Sequence, residues 1–156
     1  MIELPKYSNQ ELLESLQEYQ KEIIQELLVN NNEDEAIELW INANGPINNV
    51  NFGGTQEKNQ LLKNFKKELC KLLSESPEYE EQVKEIKVYI NLGKDAIISG
   101  LTLALAPKLG ATAIIVVPLV VLAMMSISKV GVKAYCNTIL NREENKWKME
   151  ELMKKI

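Results

Sequence analysis

The sequence predicts an all-α protein, a bundle of six or seven helices around a central apolar helical hairpin. Three observations predict it. Apolar residues recur at three- and four-residue spacing through most of the chain, which is the period of one helix face. No segment alternates apolar and polar residues between hairpin turns as a half-buried strand would. One stretch, Ala96 to Ser128, runs for thirty-three residues with Lys108 as its only charged side chain. The 156 residues read as a single domain, 1–156, in three parts. These are acidic amphipathic helices over 1–92, the apolar hairpin over 95–128 and a basic C-terminal helix over 129–156.

Ser8-Asn9-Gln10-Glu11 has the form of a capping box, in which hydroxyl and carboxylate satisfy the free amides of a helix start, and it predicts a helix over 9–30. Leu12, Leu13, Leu16, Tyr19, Ile23, Ile24, Leu27 and Leu28 fall on one side of that helix. Asn30-Asn31-Asn32 breaks it, and Glu33-Asp34-Glu35 then places negative charge at the positive end of a helix over 33–43 with Ile37, Leu39, Trp40 and Ile41. Asn44-Gly45-Pro46 stops the second helix, and Ile47 to Gly54, rich in Asn and Gly, reads as a surface loop. A third helix over 55–74 carries Leu61, Leu62, Phe65, Leu69, Leu72 and Leu73. Gly53-Gly54 before it is read as a flexible turn rather than a phosphate cradle, because the G-x-x-x-x-G-K-[ST] pattern and a preceding strand are both missing. Ser76 as cap and Pro77 at the first helical position open a fourth helix over 77–92 that buries Val83, Ile86 and Ile90.

The hairpin divides at Ala106-Pro107-Lys108-Leu109-Gly110, where proline and glycine oppose a continuing helix, and this puts its tip near Lys108. The first arm is too short to cross a hydrocarbon core of about 30 Å. The second, Leu109 to Ser128, is twenty uncharged residues between Lys108 and Lys129, the length of a spanning helix. Ala96, Gly100 and Ala104 recur every four residues and predict a face for close helix packing. Val116, Val117, Leu119, Val120, Val121 and Leu122 leave no polar side on the second arm, Leu109, Ile114 and Ile115 join them as candidate membrane or helix-packing residues, and Pro118 is expected to kink the arm or to start a shorter helix. A C-terminal helix follows from about Lys129.

Charge narrows the function. Asp+Glu 22 against Lys+Arg 18 gives a net charge of −4, without the basic excess that displaces counterions from nucleic acid. No histidine is present, which removes Ser-His-Asp and Cys-His catalysis and the commonest zinc ligand. Glu33-Asp34-Glu35 and Glu78, Glu80, Glu81 and Glu85 read as solvated helix faces rather than metal or general-acid carboxylates. The expectation is therefore no catalytic residue, no metal, no cofactor and no nucleic-acid partner. Cys70 and Cys136, too few for a disulfide framework, read as small core hydrophobes. The first residues lack a secretory signal, and with the Asn/Lys/Glu/Ile-heavy usage the expectation is a bacterial cytoplasmic protein, at most attached to the inner face of the cell membrane.

The charge is also uneven along the chain, with ten lysines against eighteen acids over 1–95 and seven basic residues against four acids over 129–156. Lys108, Lys129, Lys133, Arg142, Lys146 and Trp147 make a basic flank suited to lipid headgroups. An apolar hairpin among charged amphipathic helices resembles, in pattern and not in any motif, the hairpin inside pore-forming colicin domains. That resemblance implies insertion into a bilayer. A single span would require export of the acidic N-terminal part without a signal peptide, whereas a hairpin with its tip near Lys108 keeps both ends in the cytoplasm. The expected function is a non-enzymatic effector that inserts into or docks on the cytoplasmic membrane, in a setting such as a toxin or phage-defence system. The alternative is a soluble adaptor or immunity-type protein that binds a partner through its acidic N-terminal helices, with the hairpin as core or as an interface between copies of the chain.

Overall fold

The computed structural model describes residues 1–44 and 54–155, and within these the side chains of 44, 54–59 and 138–148 are left undescribed. The described residues are all-helical, with α1 (Asn9–Leu13), α2 (Glu18–Asn30), α3 (Glu33–Asn44), α4 (Gly54–Leu73), a 3-10 turn (Pro77–Tyr79), α5 (Glu80–Ile90), α6 (Lys94–Leu109), α7 (Ala113–Val130) and α8 (Val132–Lys154). The expected loop over 47–54 and the Gly53-Gly54 turn lie outside the described residues, apart from Gly54, the first residue of α4.

The Ser8–Glu11 capping box forms as expected, but the helix over 9–30 is two helices. Its last turn tightens into three-residue bonds, Ser15 N–H to the Leu12 carbonyl and Leu16 N–H to the Leu13 carbonyl. The Ser15 hydroxyl donates to Asp95 at the start of α6, and Gln17 restarts the chain as α2. This break rotates the second half relative to the first. Leu12, Leu13, Leu16 and Ile24 are buried, whereas Tyr19 and Ile23, placed on the same stripe by an unbroken period, face solvent.

One continuous core holds the helices together, with Trp40, Phe65 and Tyr79 among its largest side chains. Helix α7 is its most apolar member and every residue from Leu119 to Met125 is buried. It packs against α1, α3, α6 and α8, while α6 packs against α4, α5 and α7. The residues before α1 run extended across the bundle. Ile2 is buried and its amide donates to the Leu73 carbonyl, and the Tyr7 amide donates to the Ser128 hydroxyl at the end of α7.

Cys70 and Cys136 are fully buried as expected of core residues, but they are not free thiols. They form a disulfide between α4 and α8, with Cα atoms 5.5 Å apart. The two helices are in contact, so a pair 66 residues apart in sequence falls within bonding range.

Candidate functional site

The apolar stretch is covered by α6 and α7, which contact each other and are joined at 110–112, just past the Lys108 at which the sequence placed the turn. Proline is tolerated near a helix end when the carbonyl it orphans faces solvent. Pro107 accordingly stays within α6, four residues after the exposed Leu103. Gly110 takes the left-handed conformation, and Ala111 N–H and Gly110 N–H close on the Ala106 and Pro107 carbonyls.

Of the predicted face of small residues, Gly100 lies close against α5. A methyl group added at Gly100 would lie 2.5 Å from Tyr89 Cδ2 and 2.9 Å from Ile86 Cδ1. Ala96 and Ala104, one turn to either side, are half-buried.

Pro118 sits inside a continuous α7, neither ending it nor restarting it. Having no N–H, it leaves the Ile114 carbonyl without a helical donor in a part-buried setting, where an unpaired acceptor is destabilising. Gln20 supplies the donor, its Nε2 lying 3.1 Å from that oxygen. The same side chain accepts from the Gln17 amide through Oε1, so one amide group both caps α2 and completes α7, which accounts for a glutamine only 3% exposed. One residue on, Trp40 Nε1 of α3 donates to the Ile115 carbonyl at 3.0 Å. These two contacts pin the first turn of α7 to α2 and α3. Sequence reasoning missed the role of Gln20 and took Trp40 for core packing. The available signal was Pro118 itself, since a proline within an apolar helix demands a donor for the carbonyl four residues earlier.

The hairpin residues singled out from the sequence fall into two sets. Val120, Val121 and Pro118 are buried, while Ile115, Val117 and Leu109 are half-buried. The hairpin is open toward its turn, with Ile114 59% exposed beside exposed Pro107, Lys108, Thr112 and Ala113, and Leu103, almost two helical turns before the end of α6, 71% exposed.

The basic flank is less free than its sequence implies. Lys108 Nζ lies 5.6 Å from the centroid of the Tyr79 ring, within cation–π range. The Tyr79 hydroxyl donates to Glu68 at 2.7 Å, and burial, reinforced by that carboxylate, pushes its pKa up. Lys129 is ion-paired with Glu33 of α3. Lys133 is exposed and, with Lys6, Leu4, Val130 and Val132, lines a cavity of about 470 Å³ at the junction of α7 and α8. Arg142, Lys146 and Trp147 fall in the stretch of α8 whose side chains lie outside the described residues. No cluster of three or more His, Cys, Asp or Glu side chains suited to a metal occurs among the described residues.

Helix α7 is the one described helix long and apolar enough to cross a membrane, and just over half of its residues are buried inside the fold. No known protein family, curated protein or solved structure matches the chain.

Proposed function

We propose that the chain is a non-enzymatic membrane-active protein whose hairpin docks tip first on the cytoplasmic membrane and delivers α7 into it, as a small bacterial effector of a toxin or phage-defence system would. In this reading the bundle is the resting state, with the hairpin sheltered by the amphipathic helices. The observation that supports it most is the contrast along α7, open and apolar at Ile114 and fully enclosed from Leu119 to Met125. The exposed end gives a first foothold, since burying Leu103 or Ile114 in lipid is worth roughly 1.5–3 kcal/mol each. Lipid tails are about as apolar as the leucine-rich core, so moving α7 between them changes its hydrophobic free energy little. The balance then falls to polar contacts that hold α7 at rest: Gln20 to Ile114, Trp40 to Ile115, and the Lys129–Glu33 pair.

Substitution at the tip tests this without touching the core. Leu103→Asp with Ile114→Asp should leave the melting temperature nearly unchanged, because both side chains point to solvent. Dye release from vesicles of phosphatidylcholine and phosphatidylglycerol should fall by about tenfold or more, since charge at the leading end opposes insertion.

A second reading has support of its own. A large buried share of an apolar helix is equally the mark of a soluble core helix, and it supports the reading of α7 as core in an adaptor that would bind a basic partner through its acidic helices. Wild-type protein that releases no dye and stays monodisperse with lipid present would select that reading.

A further inference from the structure

We propose that Cys70 and Cys136 are a reversible redox modification site that holds α8 on the bundle, opened by a protein dithiol of the thiol–disulfide oxidoreductase class. Three features of α8 give the bridge a share in holding it. The joint to α7 is the single residue Gly131, with φ 87° and open space where a side chain would begin. Among the described side chains of α8, Val132 and Cys136 are buried and Tyr135 is half-buried, whereas every residue from Met149 to Lys155 is exposed. Next to the bridge, the Tyr135 hydroxyl is buried with no hydrogen-bond partner. A docked α8 denies that hydroxyl water and a released one restores it, so the polar chemistry beside the bridge opposes docking while the covalent bond enforces it.

The reaction is thiol–disulfide exchange. A thiolate of the reductant attacks one bridge sulfur, the Cys70–Cys136 bond breaks, and the departing cysteine takes up a proton. The second thiol of the reductant then displaces the mixed disulfide, leaving two cysteine thiols on the chain and a disulfide on the reductant. Two electrons and two protons pass to the pair. Both cysteines are fully buried, so attack follows local fraying of the residues that cover the bridge. After reduction α8 stays joined through Gly131, and the side of α7 that it covers becomes accessible.

Thiol counting and hydrogen exchange on the full chain test this without lipid, so failure here is separate from failure of the membrane reading. Protein purified in air should show no maleimide-reactive thiol in denaturant, and two after dithiothreitol. Backbone amides of 133–137 should exchange about tenfold faster or more after reduction, while those of α2 and α3 change by less than about twofold, and reoxidation should restore protection. The variant Cys70→Ala with Cys136→Ala should exchange like the reduced chain whether or not dithiothreitol is present. Free thiols in the air-purified chain, equal exchange of α8 in both states, or faster exchange spread evenly over the molecule would each overturn the proposal.

Discussion

Pro118 and Gln20 are a matched pair: one removes a donor from the Ile114 carbonyl and the other replaces it. Gln20→Leu should destabilise the fold by about 1–3 kcal/mol by stranding that carbonyl. In a Pro118→Ala background, where residue 118 regains its amide, the same change should cost less than about 1 kcal/mol. Urea unfolding of the four proteins measures the coupling, and additive losses would refute the pairing. Glu75 is a second residue held by its partners. It adopts φ 63° at the end of α4, a left-handed conformation unusual for glutamate, and its carboxylate pairs with Lys87 and with the chain's amino group. Its hydrogen bond to Lys87, more than that to the amino group, brings its pKa from 4.5 to about 2. A carboxyl whose folded pKa is depressed stabilises the fold above its unfolded value and loses that contribution as pH falls toward the folded one. The melting-temperature difference between wild type and Glu75→Gln should therefore be full at neutral pH and shrink between about pH 4.5 and 2.

Among the elements, α5 and α6 are set close together by the missing side chain at Gly100. Alanine there gains about 1 kcal/mol of helix propensity. It loses about 1–3 kcal/mol to overpacking against Tyr89 and Ile86. Thermal unfolding should therefore show Gly100→Ala to be net destabilising, and Tyr89→Ala in the same chain should remove most of the penalty. The spacing of Ala96, Gly100 and Ala104 made this face legible from sequence, because close approach requires small residues at helical period, but it could not identify α5 as the neighbour. Helix existence was legible for the same kind of reason, in the cap at Ser8 and the stripes from Leu61 to Leu73, whereas Ser76 makes no side-chain cap and Pro77 opens a 3-10 turn, so the helix expected over 77–92 is α5 over Glu80–Ile90. The break at Glu14–Gln17 was not, since no glycine or proline marks it and its cause is the distant contact of Ser15 with Asp95.

Across the whole molecule, what sequence could not supply is which surfaces meet. Twenty uncharged residues between lysines satisfy the length of a bilayer and the requirements of a protein core equally, and only the packing of α1, α3, α6 and α8 on α7 specifies its resting surroundings. The Cys70–Cys136 bridge was hidden likewise, because contact between α4 and α8 is a property of the assembled bundle. The membrane reading makes a prediction at this scale. Untagged protein at native level should remain in the membrane pellet through a carbonate wash once the hairpin is engaged, and should return to the supernatant when Leu103 and Ile114 are both changed to Asp. Retention of that variant in the pellet would show that the hairpin tip is not what engages the bilayer.

The carbonyl of Ile114 also works as a depth gauge. Hydrocarbon offers no donor, so an α7 that has left Gln20 must keep its first turn where water or headgroups can reach that oxygen. A single isotope-labelled carbonyl at Ile114 would report this directly, its infrared band marking the boundary at which the helix stops sinking.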